Sequence, residues 1–356
     1  MNIKEFMDYV AENVKEYLPP AFENASVTVN EVYKNNDTVL HGILIRNEGE
    51  DVTPQIYLDK LYQQYLDGRD IEDCVGSVAD VRIETDTQEI GRPDLSFLSD
   101  YEEVKPRLMM KICDKDMNVE NLQDKVKTLH GDFIATYSVK INETNSGIAS
   151  MAVRPELLKQ WDVTVDQLHA DAVAADKSRV PVLMDLADMI MNIEKSDLSS
   201  MNFLQMGEAH PRIEPNSLMC LTNGDKMNGA SLILHDDVMK QVGEIMGTDY
   251  YVLPSSIHET LIVPDNSFHN VEELNAMVKE VNSTIVDPEE VLSDKVQHYD
   301  RNNHVLENAV KFENRRDHEK DKSVGKGIKE KLSAAKKEVS KKISSQTKHK
   351  DKQMEM

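Results

Sequence analysis

Cysteine and tryptophan are scarce in this chain: 356 residues hold three Cys and one Trp, and aromatic residues make up 5%. Cys74, Cys113 and Cys220 stand far apart, which excludes a disulfide framework and a zinc site built on paired thiolates. No apolar run nears the ~20 residues that cross a bilayer as a helix. The opening residues carry Lys4, Glu5 and Asp8 where a secretory leader would be apolar, so a cytoplasmic location without membrane contact is expected. No Gly-x-x-x-x-Gly-Lys-Ser/Thr loop occurs, and Gly325-Lys326-Gly327 has no strand before it. No two His stand four apart on a helix. The acid runs Glu48-Gly49-Glu50-Asp51 and Asp114-Lys115-Asp116 lack the twelve-residue calcium-loop pattern and read as solvated loops. The expectation is therefore no metal and no cofactor.

Acid is abundant. The formal net charge is −23, from 64 Asp+Glu against 41 Lys+Arg. It is unevenly spread: Lys311 to Met356 holds 15 Lys+Arg and 8 Asp+Glu, a local +7, which leaves −30 for the first 310 residues. So acidic a body repels phosphate backbones and anionic membranes, and nucleic acid is not its expected partner. In the tail, Ile328, Leu332, Val339 and Ile343 recur at helical spacing as a thin stripe. That fits either a solvated, disordered or helical tail or an adhesive segment for an acidic partner, with weak nucleic-acid contact confined to this region.

Along the chain, Ile3, Phe6, Met7, Val10, Val14 and Leu18 predict an amphipathic helix stopped by Pro19-Pro20. Val27 to Tyr33 and Val39 to Ile45 predict a hairpin about Asn35-Asn36-Asp37. Helices are expected from Pro54 to Gly68, over Ile71–Ile83, over Tyr101–Cys113, over Leu122–Leu129 and over Pro181–Ile193. Glu84 to Ser99 and Glu194 to Ser217 read as irregular. Phe133 to Ile141 and Ile148 to Val153 predict paired strands, followed by helices from Pro155 and from Thr164, where Thr164-Val165-Asp166-Gln167 is a capping box. The methionines gathered in the middle third, Met184, Met189, Met191, Met201 and Met206 among them, suit either core filling or an adaptable binding surface.

Two segments align 81 residues apart, Ala149 to Trp161 with Ala230 to Val242, and share four identities. Each unit reads as strand, turn, strand, helix, so an internal duplication is a candidate. The chemically densest stretch is Asp249 to Pro264, two apolar strands around Pro254-Ser255-Ser256-Ile257-His258-Glu259. One reading makes Ser255 or Ser256 a nucleophile with His258 as base and Glu259 or another acid behind it. The other makes it a hairpin whose Ser hydroxyls cap backbone groups. No Gly-x-Ser-x-Gly elbow is present, and the residue four after His258 is Ile262, not a second metal ligand. His130/Asp132, His169/Asp171 and His235/Asp236/Asp237 are further His–acid neighbours of the kind that chance supplies in so acidic a chain.

Phe97 to Lys105, Gly147 to Leu168, Gly229 to Leu234, Tyr251 to Glu259 and Leu292 to Val296 with Tyr299-Asp300 resemble an uncharacterised family, a domain of unknown function in Firmicutes of the anaerobic gut. Together with the N-terminal helix and hairpin, the resemblance covers about residues 1 to 310. It implies a shared fold and a bacterial, cytoplasmic setting, and it implies no activity. The expectation is an α+β protein with antiparallel or mixed sheets built from hairpin-plus-helix units: an N-terminal region at 1–125, an α+β region at 126–300 and a basic tail at 301–356. A non-catalytic binding or interaction module with a protein partner is the leading functional reading. A hydrolase using Ser255 or Ser256 with His258 is the alternative, and an acidic mimic of nucleic acid is a third.

Overall fold

A computed structural model describes residues 1–50, 53–87, 94–144, 147–192, 199–265 and 270–317. The chain begins with α1 (Ile3–Asn13). Asn2 caps it: its side chain accepts from the Glu5 N–H, and the Glu5 carboxylate accepts from the Asn2 N–H. β1 (Ser26–Tyr33) and β2 (Val39–Arg46) form the expected hairpin, and β3 (Gln55–Tyr57) adds antiparallel to β2. The helix expected from Pro54 starts later, as α2 (Asp59–Leu66), because Ile56 pairs with Ile43 and joins a buried cluster there. α3 (Ile71–Thr87) runs past its expected end. Phe6, Val10, Phe22, Ile43, Ile45, Leu58, Val75 and Val78 close this lobe's own core.

The body starts with α4 (Tyr101–Val104) and β4 (Leu108–Asp114). The helix expected over Tyr101–Cys113 is thus a single turn and then a strand. Pro106 removes a helical donor, and Leu108, Met110 and Ile112 alternate into the core. Leu122–Leu129 is turns leading into β5 (Lys127–His130) rather than a helix. β6 (Phe133–Thr144) carries β4 on one edge, with β5 and β7 (Gly147–Ala152) end to end on the other. α5 (Pro155–Trp161) and α6 (Val165–Lys177) follow, and the Thr164 hydroxyl accepts from the Gln167 N–H.

A second, six-stranded sheet completes the body. Its members are β8 (Pro181–Asp185), β9 (Met219–Asn223), β10 (Tyr250–Leu253), β11 (Thr260–Pro264), β12 (Gln297–Asp300) and β13 (Val305–Asn308). They are ordered β13-β12-β10-β11-β9-β8, and the assigned pairs are antiparallel. The helices here include α7 (Leu186–Met191), α8 (Phe203–Met206), α9 (Asp236–Met246) and α10 (Val271–Thr284), and residues 309–317 after β13 are also helical. Pro181–Ile193 therefore opens as a strand, with Val182, Leu183 and Met184 buried, and only then turns helical; Ile193 itself, like Glu194 to Asp197 and Leu198, lies outside the described residues.

The 81-residue repeat does not extend to local structure. Ala149–Met151 lies in β7, whereas Gly229–Leu234 is a 3-10 helix. The reason is topological: β9 already has β8 on one edge and β11 on the other, so no edge is left for a returning strand. The apolar residues Ala230, Leu232 and Ile233 are buried by coiling instead.

Alternation sorts the six-stranded sheet's two faces. Leu183, Leu221, Tyr250, Val252, Ile262 and Tyr299 meet Leu108, Met110, Phe133 and Tyr137 of the other sheet in one core. On the opposite face, α10 covers Tyr251, Leu253 and Val263, while Met189 of α7 covers Val182, Met184 and Cys220. Leu261 packs partly against both groups.

Two acid runs are more structural than solvated loops. Glu50 pairs with Arg82, both fully buried, and the Arg82 Nε donates to the Ile45 carbonyl at 2.8 Å; Asp51 lies outside the described residues. Asp114, also buried, accepts from Ser293 Oγ at 2.6 Å and from Lys295 Nζ at 3.1 Å. Burial is tolerated in both cases because a cation stands opposite. The hairpin tip fastens the lobe to the body. The Asp37 carboxylate accepts the N–H groups of Val119, Glu120 and Asn121, and the Asn36 amide donates to the carbonyls of Pro288 and Val291. Asn36 and Asp37 reach this geometry at φ of 61° and 51°, in the left-handed region that these two residue types tolerate best after Gly. The basic-stripe residues Ile328 to Ile343 lie outside the described residues.

Candidate functional site

Beside α7, on the outer face of the six-stranded sheet, lies a cavity of about 390 Å³. Leu186, Met189, Ile190, Cys220 and Leu261 form its apolar wall, and Thr222, Lys226, Ser255, His258 and Glu259 gather at the polar side. The β10–β11 connection explains the gathering. Leu253 pairs with Leu261, and of the connecting residues 254–259 Ser255, His258 and Glu259 line the cavity. Three backbone bonds with the segment beyond α10 pin this loop: Ile257 N–H donates to the Glu290 carbonyl at 2.8 Å, Leu292 N–H to the Ser255 carbonyl at 3.1 Å and Ser293 N–H to the Pro254 carbonyl at 3.1 Å.

Ser255, His258 and Glu259 thus reach one cavity, and Ser256 does not line it. Ser256 is buried, bridges to Val291, and its hydroxyl accepts the His258 N–H at 3.0 Å. That hydroxyl caps backbone. The His258 ring is hydrogen-bonded at Nδ1. Nδ1 accepts the Asn228 N–H at 3.2 Å, and Nε2 lies 3.5 Å from Glu290 Oε1. Among the described residues, no hydrogen bond joins either Ser hydroxyl to the imidazole. Gly229 makes the Asn228 contact possible: a Cβ there would stand 2.4 Å from Thr222 Oγ1 and 2.5 Å from the His258 carbonyl.

The site's electrostatics follow from burial. Burial and the neighbouring Glu290 raise the Glu259 carboxyl above its ordinary value, against the lowering pull of the Ser256 hydroxyl. Burial, helped by the Glu259 charge, pushes the Cys220 thiol up to about 12, so it is an inert wall and not a thiolate.

A second Ser–His–carboxylate group was not visible as such in the sequence. His235 has Asp236 and Asp237 as chain neighbours, yet it faces Asp176, with Nε2 3.4 Å from Oδ2. Ser231 donates to the same oxygen at 2.6 Å, and Arg179 Nη1 lies 3.1 Å from the other. Asp176, Ser231 and His235 are each 1% exposed or less. Burial raises Asp176, but His235, Ser231 and Arg179 together outweigh it and the carboxyl is held below its ordinary value. Beside this group, Tyr137 Oη lies 2.9 Å from His169 Nδ1 and 2.6 Å from Thr128 Oγ1, which in turn reaches His130 Nε2 at 2.8 Å. Burial lowers both of these half-buried histidines below their ordinary value. The signal for these partnerships was the 3-10 segment's buried polar Ser231, which no periodicity argument assigns. Among the described residues, no group of three or more His, Cys, Asp or Glu is placed to hold a metal ion, and no helix is long and apolar enough to cross a membrane.

The arrangement defines an α+β protein of antiparallel sheets with a single-sided, partly apolar cavity. Over residues 3–301 the chain matches the model of a family of unknown function, DUF5688, and it belongs to that family. No curated protein and no solved structure matches the chain.

Proposed function

We propose that the protein is a non-catalytic binding module, and that its cavity takes a small amphipathic molecule. The supporting observation is that Leu186, Met189, Cys220 and Leu261 line one cavity with Ser255 and Glu259, while the His258 imidazole takes its hydrogen bond at Nδ1 from the Asn228 N–H and not from a serine. A pocket of this kind is mostly apolar, with a few polar groups that fix orientation. The Glu259 and Glu290 carboxylates favour a hydrogen-bond-donating or cationic head. In a cytoplasmic protein this head group would be an amine or hydroxyl of a small metabolite.

Titration of the full chain with butylamine through octylamine tests the reading. Each methylene buried is worth about 0.8 kcal/mol, so affinity is expected to rise about fourfold per carbon until the cavity is full. Glu259→Gln should weaken the amines more than octanol. Affinity independent of chain length would sink the proposal. A hydrolase would instead show turnover of p-nitrophenyl butyrate that Ser255→Ala abolishes.

A further inference from the structure

A second cavity, of about 360 Å³, lies at the end of β8, where Asp185 pairs with Met219. It shares no lining residue with the cavity beside Glu259. Its volume falls within the roughly 300–1,000 Å³ of small-molecule sites. Met201, Phe203, Met206 and Met219 supply an apolar wall. Two of the methionines gathered in the middle third thus meet here, and thioethers adapt to apolar groups of differing shape.

The surrounding contacts hold this wall in place. Asn202, just before α8, accepts the Leu183 N–H at 3.0 Å and donates to the Pro181 carbonyl at 2.8 Å, which fastens α8 to the outer edge of β8. The His210 ring stacks on Phe203 with centroids 5.8 Å apart. The Leu186 N–H donates to the Leu218 carbonyl at 2.9 Å, and the Ser217 hydroxyl accepts the Glu214 N–H at 3.1 Å. The loop that carries Arg212 is therefore tied to the start of α7.

Charge of both signs lines the same cavity: Arg212 from that loop, and Asp185 and Asp188 from the corner between β8 and α7. Asp185 Oδ1 accepts the Ala187 N–H at 2.9 Å, which fixes the direction of its carboxylate. Among the described residues, no hydrogen bond or ion pair joins Arg212 to either carboxylate, or to any other group. Opposite charges that line one cavity without meeting leave room for a molecule that carries both. A guanidinium takes a carboxylate through two parallel hydrogen bonds, and carboxylates accept from an ammonium. We infer that this cavity binds a free apolar α-amino acid as its zwitterion. Arg212 takes the carboxylate, Asp185 and Asp188 take the ammonium, and the side chain lies on the methionine and Phe203 wall. A plain amine or a fatty acid would use only one of the two charges. The inference does not depend on the function assigned to the cavity beside Glu259.

Calorimetric titration of norvaline into the full chain, at about pH 7 where both of its charged groups are ionised, tests the inference. Affinity is expected to rise about fourfold per methylene from alanine through 2-aminobutyrate to norvaline. Norvalinamide and N-acetylnorvaline each lack one charge and should bind about tenfold more weakly or worse. Arg212→Gln should cost norvaline about tenfold and leave norvalinamide unchanged; Asp188→Asn should cost norvaline and leave N-acetylnorvaline unchanged. Both side chains are exposed, so neither change disturbs the core. Methionine-methyl NMR adds a site-resolved arm: norvaline should shift Met201, Met206 and Met219 but not Met189, which lines the other cavity. Glu259→Gln should leave norvaline binding as it is, so this inference and the amine-binding reading fail separately. Absence of saturable binding, equal affinity for norvaline and norvalinamide, indifference to Arg212→Gln, or methyl shifts confined to Met189 would each overturn the inference.

Discussion

Serine, histidine and a carboxylate converge twice in this molecule, and the two groups behave in opposite ways. At the cavity, Glu259 is raised above its ordinary value by burial and by Glu290. In the core, Asp176 is held below its ordinary value by His235, Ser231 and Arg179, although burial opposes them. The residue types are alike; the partners differ. Asp176 is surrounded by donors and a guanidinium, whereas the burial of Glu259 is only partly compensated. The compensation in the core is that of the carboxylate, since both ring nitrogens of His235 are buried there without a hydrogen-bond partner. The 3-10 segment Gly229–Leu234 joins the two: Gly229 backs onto the His258 carbonyl, and Ser231 binds Asp176.

This contrast can be broken most severely at Asp176. Replacing Asp176 with Asn leaves His235 and Arg179 short of a buried partner and is expected to lose about 3–5 kcal/mol in urea unfolding. The pH dependence follows from the lowered carboxyl. Its contribution is full above the unfolded value of 3.8 and is lost as pH falls through the lower folded value, so Asp176→Asn should flatten the acid limb of the stability curve. An unchanged acid limb would show that the core group is not what stabilises this region. Next in size is Gly229→Ala, whose Cβ collides with Thr222 and the His258 backbone. About 1–3 kcal/mol is expected from such overpacking, with loss of amine binding as the His258 loop moves. Retained stability and retained binding together would uncouple the segment from the cavity.

Two smaller effects sharpen the comparison. Ser231→Ala removes a buried donor from a charged acceptor and should cost about 1–3 kcal/mol, whereas Ser255→Ala at the cavity should stay within about 0.5 kcal/mol by thermal denaturation. Equal losses would erase the distinction between the sites. Glu259→Gln should stabilise near pH 7, read as a higher melting temperature. Because the folded carboxyl lies above the unfolded 4.5, the native state favours the proton; that advantage is present below 4.5 and is lost as pH rises through the folded value. The gain from Gln should therefore vanish near pH 4. A gain that persists there would contradict the assignment.

Much of the fold was legible because apolar spacing reports which face is buried. The α1 stripe, the β1–β2 hairpin, the β6–β7 pair and the β10–β11 strands all follow from it. It failed where short apolar runs suit either geometry: Leu108 to Cys113, Pro181 to Met184 and Ala230 to Leu234 are apolar enough for helix or strand. In each case the neighbouring elements decided. β4 and β8 found open sheet edges, and residues 230–234 did not. At the site, Ser255, His258 and Glu259 stood out as polar residues between two apolar strands. The engagement of His258 by Asn228, and the turning of Ser256 away from the cavity, depend on segments distant in sequence and left no local trace.

The chain's own letters determine its acidic body, its lack of a disulfide framework, its helix caps and the density of polar groups after β10, since each is a matter of composition or of contacts within a few residues. Tertiary structure alone decided which acid serves which histidine, and which serine opens to a cavity. Those pairings span many tens of residues, and only the closing of sheets around a shared core brings such distant groups within the few ångströms over which charge and hydrogen bonding act.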